Sequence, residues 1–240
     1  MNIPVVRGLI DRRMLVNYRV DPDVLKKLLP PRFRPKIIGS VGIAGICLIR
    51  LKDIRPSGFP GLTGVSSENA AHRIAVEWEE EGRLREGVFI PRRDTSSRLN
   101  TLLGGRVFPV LQHHATFNVT ERDDHYEIII DCDDLKTHVA VEADIIEALP
   151  ESSVFGSLEQ ASAFFESGAL GYSPGGANEL HALELRSFNW KVEALNVTRV
   201  ESSFFEDREV FPPGTVEFDC ALLMRGIAHE WHAHQSLKVA

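Results

Sequence analysis

Apolar and polar residues alternate along most of this chain. Over residues 12–20, Met14, Val16, Tyr18 and Val20 share one face, and Arg13, Asn17 and Arg19 share the other, which is the period of a strand. Arg12 has the parity of the apolar face. An arginine there either meets a partner or ligand, since an unpaired buried charge is costly, or sits at the strand end in water. Residues 41–52 read as a buried strand. Residues 73–78 alternate, with Ile74, Val76 and Trp78 on one side, and 79–82 turn the chain into a strand over 83–90. Further strands are expected at 114–120, 126–131, 138–146, 178–187, 189–202 and 216–225, with turns at Asp123-Asp124 and at FPPG, 211–214.

Helical spacing interrupts this alternation in a few places. In DPDVLKKLLPP, Asp21 is the N-cap, Pro22 suits the first helical position, Leu25, Leu28 and Leu29 form the buried stripe, and Pro30-Pro31 ends the helix. Ser157 with Gln160 has the capping-box pattern, opening a helix that turns Phe164 and Phe165 inward and closes at Gly168. The stretch 86–114 organises the rest. A strand over 88–90 ends at Pro91; Asp94 caps a helix at 95–103, with Thr95 and Ser96 as rival caps; Leu99, Leu102 and Leu103 form its stripe; Gly104-Gly105 stops it. Arg92 and Arg93 then lie beside a helix N-terminus, whose free N–H groups favour anions, so this stretch reads as the floor of an anion-accepting site. The loop over 56–67, rich in Gly, Pro and Ser, is either a lid or mere irregularity, and GYSPGG at 171–176 reads as a loop. The sum is an α+β, mainly-β single domain over residues 1–240. So many strands call for a strongly curved antiparallel sheet or a closed barrel with a few short helices.

Composition narrows the partners. The 240 residues are 43% hydrophobic, enough for one sizeable core. Net charge is -7 and no basic run exists, which argues against nucleic acid as a partner. The 3 cysteines, Cys47, Cys132 and Cys220, are far apart and form no C-x-x-C, as expected of free buried thiols in a reducing cytosol. The opening MNIPVVRGLIDRR has no long apolar core of a signal peptide, and the apolar run 41–49 is too short to span a bilayer. A cytoplasmic protein with no membrane partner is expected. His113 and His114 point to opposite strand faces, and His114, with the parity of Thr116 and Asn118, is the one to face a pocket. In HEWHAH, Glu230, His232 and His234 share a face if extended, a spacing that metal sites use. No second Cys/His cluster joins them, so neither metal nor cofactor is expected. Asp131, Asp133 and Asp134 read as a solvated turn. No G-x-S-x-G, H-E-x-x-H, P-loop or Rossmann fingerprint occurs.

Two stretches carry a resemblance. DRRMLVNYRVDPDVLKKLLPP resembles the strand–helix opening of the acetoacetate decarboxylase-like superfamily, and REGVFIPRR sits where that superfamily carries Arg-Glu…Pro-Lys-Lys. LLMRGIAHEWH is similar to an uncharacterised branch known only as a domain of unknown function, and the similarity spans roughly residues 8–235. The resemblance implies a cone-like curved barrel with a buried pocket and a tendency to oligomerise. In the decarboxylases the first lysine forms a Schiff base with the keto acid, and the second lowers its pKa. Matched residue by residue, Arg92 falls on the Schiff-base position, Arg93 on its neighbour, Arg12 on an arginine near the pocket and Glu68 on a glutamate; a second glutamate would fall near Ala44 and is lost. A guanidinium is not a useful amine nucleophile, so the resemblance implies the fold without this chemistry. Lys52, Lys136 and Lys191 read as surface residues. The preferred reading is a pocket in which Arg12, Arg92 and Arg93 hold a small organic anion, a carboxylate or acyl group. One alternative is an enzyme using Glu68 or His114 as general acid/base, with arginine stabilising negative charge. The other is a structural or interaction protein whose arginines only pair with Asp94, Glu86 or Glu68.

Overall fold

The computed structural model describes residues 4–59, 64–98, 101, 111–175 and 178–238. In chain order these form β1 (Val6–Val20), α1 (Pro22–Leu28), β2 (Arg34–Pro35), β3 (Ile37–Ile38), β4 (Val41–Pro56), β5 (Val65–Glu80), β6 (Arg83–Thr95), β7 (His113–Arg122), β8 (His125–Cys132), β9 (His138–Ile146), α2 (Leu158–Glu166), β10 (Leu170–Pro174), β11 (Glu179–Ser187), β12 (Glu193–Ser202) and β13 (Val216–Lys238). The strands make one 13-stranded sheet, antiparallel except where β6 pairs with β7 and with β10.

The sheet closes on itself twice. One ring of hydrogen bonds runs β6–β7–β8–β9–β12–β13–β1–β4–β5 and returns to β6. The other runs β11–β10–β6–β5–β4–β1–β13 and returns to β11. Strands β13, β1, β4, β5 and β6 belong to both, so each of their faces meets an interior. Met14, Val16, Ile46, Leu48, Ile74 and Val76 pack on one side. Leu15, Cys47, Ile49, Ala75, Leu222 and Met224 pack on the other, where Phe155 and Phe165 join them. Burial of this apolar surface is the main favourable term in folding. The alternation over 12–20 is present as expected, but its polar face is not solvent: Asn17 on that face is fully buried.

Both helices begin as the sequence indicates. Asp21 caps α1 by accepting from Asp23 N, with Pro22 at its start. Ser157 caps α2 by accepting from Gln160 N, and Gln160 Oε1 accepts from Gly156 N at 3.1 Å. Three local expectations are corrected. First, β6 does not end at Pro91; it runs to Thr95, and Asp94 is a ladder residue opposite Ala70, not a helix cap. The ladder tolerates the proline because Ile90 and Pro91 fall where the register between β5 and β6 shifts, so the missing N–H leaves no partner unpaired. Of the helix expected at 95–103, Thr95 belongs to β6 and residues 99, 100, 102 and 103 lie outside the described residues; Thr101 N donates to Ser97 O at 3.1 Å. Second, residues 171–174 of the expected GYSPGG loop belong to β10, which lies between β6 and β11. Third, the last strand continues through HEWHAH to Lys238, past Gly226 with φ 65. The loop expected over 56–67 is shortened from both sides by β4 and β5.

Candidate functional site

A cavity of about 440 Å³ lies inside the second ring, within the usual range for ligand pockets. Its wall is built by cross-strand register. Leu15, Cys47, Ala71 and Arg93 are successive partners across β1, β4, β5 and β6. Arg13 and Ile49 pair in the next row, and Asn17 leads through Gly45 to Arg73 in the row on the other side. Arg13, Arg73 and Arg93 therefore come from different strands and line one cavity. At Gly87, where β6 approaches β10, a Cβ would sit 2.4 Å from the Leu170 carbonyl oxygen.

The electrostatics of these arginines is unusual. Arg13 Nε donates to Cys47 Sγ at 3.3 Å, Arg93 Nε donates to Ser173 Oγ at 3.0 Å, and Arg73 donates to Asn17 Oδ1. None of these acceptors is a carboxylate. Among the described residues, no carboxylate forms an ion pair with Arg13, Arg73 or Arg93. The Arg73 guanidinium carbon lies 4.7 Å from the Phe165 ring centroid and that of Arg13 lies 5.9 Å from Trp190, both modest compensation. Burial pushes Arg73 and Arg93 down to about 10, so both stay protonated at neutral pH. The Arg73 side chain is only 5% exposed, and its Nε finds no partner among the described residues. Lys36 also lines the cavity, donating to Glu86 Oε2 at 2.5 Å and to Ser167 Oγ at 2.9 Å, with its Nζ 4.3 Å from the Phe164 ring. That hydrogen bond holds the Glu86 carboxyl below its usual range. At the end of the cavity near Lys36 the cation is thus paired, and the middle carries arginines without a carboxylate partner among the described residues.

Of the arginines singled out in the sequence, Arg93 lines the cavity, while Arg12 and Arg92 do not. Strand alternation sends neighbouring side chains to opposite faces, so Arg92 enters the other side of β6. There it pairs with Asp94 at 2.8 Å and with Asp134 at 3.0 Å. Burial disfavours its charge, but the bonds to Asp134 and Asp94 outweigh this and raise its pKa, while Arg92 in turn holds Asp134 well below the usual carboxylate range. Asp134 is thus not simply part of a solvated turn. Arg12 is buried between Glu68 and Glu121, and Arg50 bridges the same carboxylates. Glu68 belongs to this ion-pair network and His114 pairs with Asp133 at 2.8 Å; neither lines the cavity. His232 and His234 lie on β13 against Glu230 and Glu184. Among the described residues no group of three or more His, Cys, Asp or Glu could hold a metal ion. Cys47, Cys132 and Cys220 are free and buried, and Cys47 lines the cavity. Sequence reasoning missed Arg13 and Arg73, whose parity opposes the apolar residues beside them, and Lys36, which carries no periodic signal at all.

The model of the family DUF2071, described as an uncharacterized conserved protein, matches residues 10–224. Among curated proteins, none matches the chain by sequence. Solved structures share the fold at low identity. An acetoacetate decarboxylase from Legionella pneumophila superposes with a TM-score of 0.65 at 12% identity, over 97% of this chain and 88% of that one. The enduracididine biosynthesis enzyme MppR, complexed with pyruvate, gives 0.62 at 12% identity over 100% and 91%. An acetoacetate decarboxylase-like enzyme from Sphingomonas wittichii gives 0.59 at 12% identity over 100% and 94%.

Proposed function

We propose that this chain, which belongs to the DUF2071 family, binds a small organic carboxylate in its cavity with Arg13, Arg73 and Arg93 as counter-charges. The observation that carries this reading is the gathering of these arginines around one cavity with no carboxylate partner among the described residues. A buried charge without a counter-charge is strongly unfavourable, and a ligand carboxylate removes the penalty. Guanidinium forks match carboxylates bidentately, which gives orientation as well as energy. The shared fold of MppR, which is complexed with the carboxylate pyruvate, is consistent with this class of ligand.

Schiff-base decarboxylation is not part of the proposal. Arg92, which the sequence resemblance sets at the Schiff-base lysine position, does not line the cavity. Lys36, the cavity lysine, is engaged by Glu86 and Ser167. Borohydride treatment with acetoacetate, followed by intact mass, is expected to leave the protein unmodified; a specific lysine adduct with carbon dioxide release would falsify that part.

The binding claim is tested by calorimetric titration with butyrate and pyruvate. Arg93→Ala is expected to weaken binding at least tenfold, in line with about 1.5–3 kcal/mol for a charge-assisted hydrogen bond. Undiminished binding by a folded Arg93→Ala protein overturns the reading.

A further inference from the structure

The wall of the cavity is not uniform along its length. Beyond the arginines, β4 presents Ile49, Leu51 and, past a register shift, Ile54 to the same side as Cys47. Leu51 stands four residues from Cys47, about 13 Å along an extended strand. Across β5, Ile54 pairs with Val65, and Leu185 and Trp231, partners between β11 and β13, close the same section. The opposite end carries the Lys36–Glu86 ion pair and the glycines Gly87, Gly168 and Gly171. A charged centre thus leads into an apolar section on one side only.

We infer that the ligand is an amphipathic monocarboxylate, its head on the arginines and an aliphatic or aromatic tail along Ile49, Leu51 and Ile54 toward Trp231. The inference rests on the carboxylate reading and adds to it the chemistry of the rest of the molecule. A compact polar acid such as pyruvate fills only the cationic centre and leaves the apolar wall against water or void. A tail removes that wall from water, and each buried methylene is worth about a fourfold gain in affinity. A second carboxylate is disfavoured, since the charged residues beside the apolar section, Glu184 and Arg186, already pair with each other at 2.8 Å.

The test is a titration series of acetate, butyrate, hexanoate, octanoate and 3-phenylpropionate, followed by calorimetry or by quenching of tryptophan emission. Affinity is expected to climb about fourfold per methylene from butyrate to octanoate. Ile54→Asp is expected to abolish the climb, bringing octanoate down to the affinity of butyrate. Val65→Asp, at a more exposed position on the same wall, is expected to do the same should Ile54→Asp fail to fold. Affinity that stays flat or falls from butyrate to octanoate, with butyrate binding still dependent on Arg93, overturns the tail and leaves the carboxylate reading standing. Failure of every acid in the series to bind overturns both.

Discussion

At the scale of single residues, Arg92 and Arg93 show how one step along a strand separates structure from ligand chemistry. Arg92 neutralises Asp94, which is 1% exposed. Arg92→Ala leaves that carboxylate buried and alone, and is expected to cost about 3 kcal/mol in denaturant unfolding. Arg93 has no carboxylate to abandon, so Arg93→Met is expected to leave the ligand-free protein as stable as before, or stabler, while losing the carboxylate. Equal destabilisation by the two substitutions would argue against the assignment. His72 offers a pH test. It is fully buried, its ring centroid lies 4.8 Å from that of Phe204, and its ring nitrogens find no partner among the described residues. Burial lowers its pKa to about 3, with Arg92 adding to the effect. The unfolded chain therefore binds the extra proton below pH of about 6.5, and stability falls as pH drops from there toward the folded value. The expected slope from His72 is about 1.4 kcal/mol per pH unit. His72→Phe is expected to shallow the acid limb of the unfolding free energy against pH, from denaturant melts, by that much; an unchanged limb would count against it. Arg93 was legible in the sequence as a pocket arginine. Arg13 and Arg73 were not, because strand alternation marks polar residues opposite an apolar row as solvated.

At the scale of elements, α2 is where local sequence and cavity meet. Its capping box is written in Ser157 and Gln160, and its far turns place Phe164 over Lys36 and Phe165 over Arg73. Trp190 Nε1 donates to Ser162 Oγ at 2.9 Å, tying the segment before β12 to the same helix. Ser157→Ala is expected to cost about 1 kcal/mol and to raise amide exchange along α2 selectively. Exchange unchanged in α2 would mean that packing alone holds the helix. Strand β6 shows the reverse case. Its proline and acidic cap pattern argue locally for a stop and a helix, yet the chain stays extended to Thr95. A register shift absorbs the proline, and pairing with β5 and β7 supplies ladder bonds that a lone segment cannot offer.

At the scale of the molecule, the sharing of strands between two rings has a thermodynamic consequence. Met14 packs into one apolar cluster and Leu15, the next residue, into the other, each with no more than 1% exposed. Met14→Ala and Leu15→Ala are each expected to cost about 2–5 kcal/mol. Because β1 cannot leave one ring without opening the other, each variant should still melt in a single transition when followed by both near- and far-ultraviolet dichroism. Two resolved transitions would mean that the rings unfold independently.

The sequence by itself determined the strand-rich class, the start and end of α1 and α2, and which residues share a face in the strands whose alternation is regular, such as β1. Those properties follow from local rules: alternation with period two, caps that satisfy free N–H groups, and turn residues. Tertiary structure alone decided that both faces of β1, β4, β5 and β6 are interior, that Arg12 and Arg92 meet carboxylates, and that Arg13 and Arg73 join Arg93 at a cavity. A face turned away from one core looks polar-outward to any local rule. Only the closure of the second ring, which brings β11 to β13 and β10 to β6, turns that face into a wall.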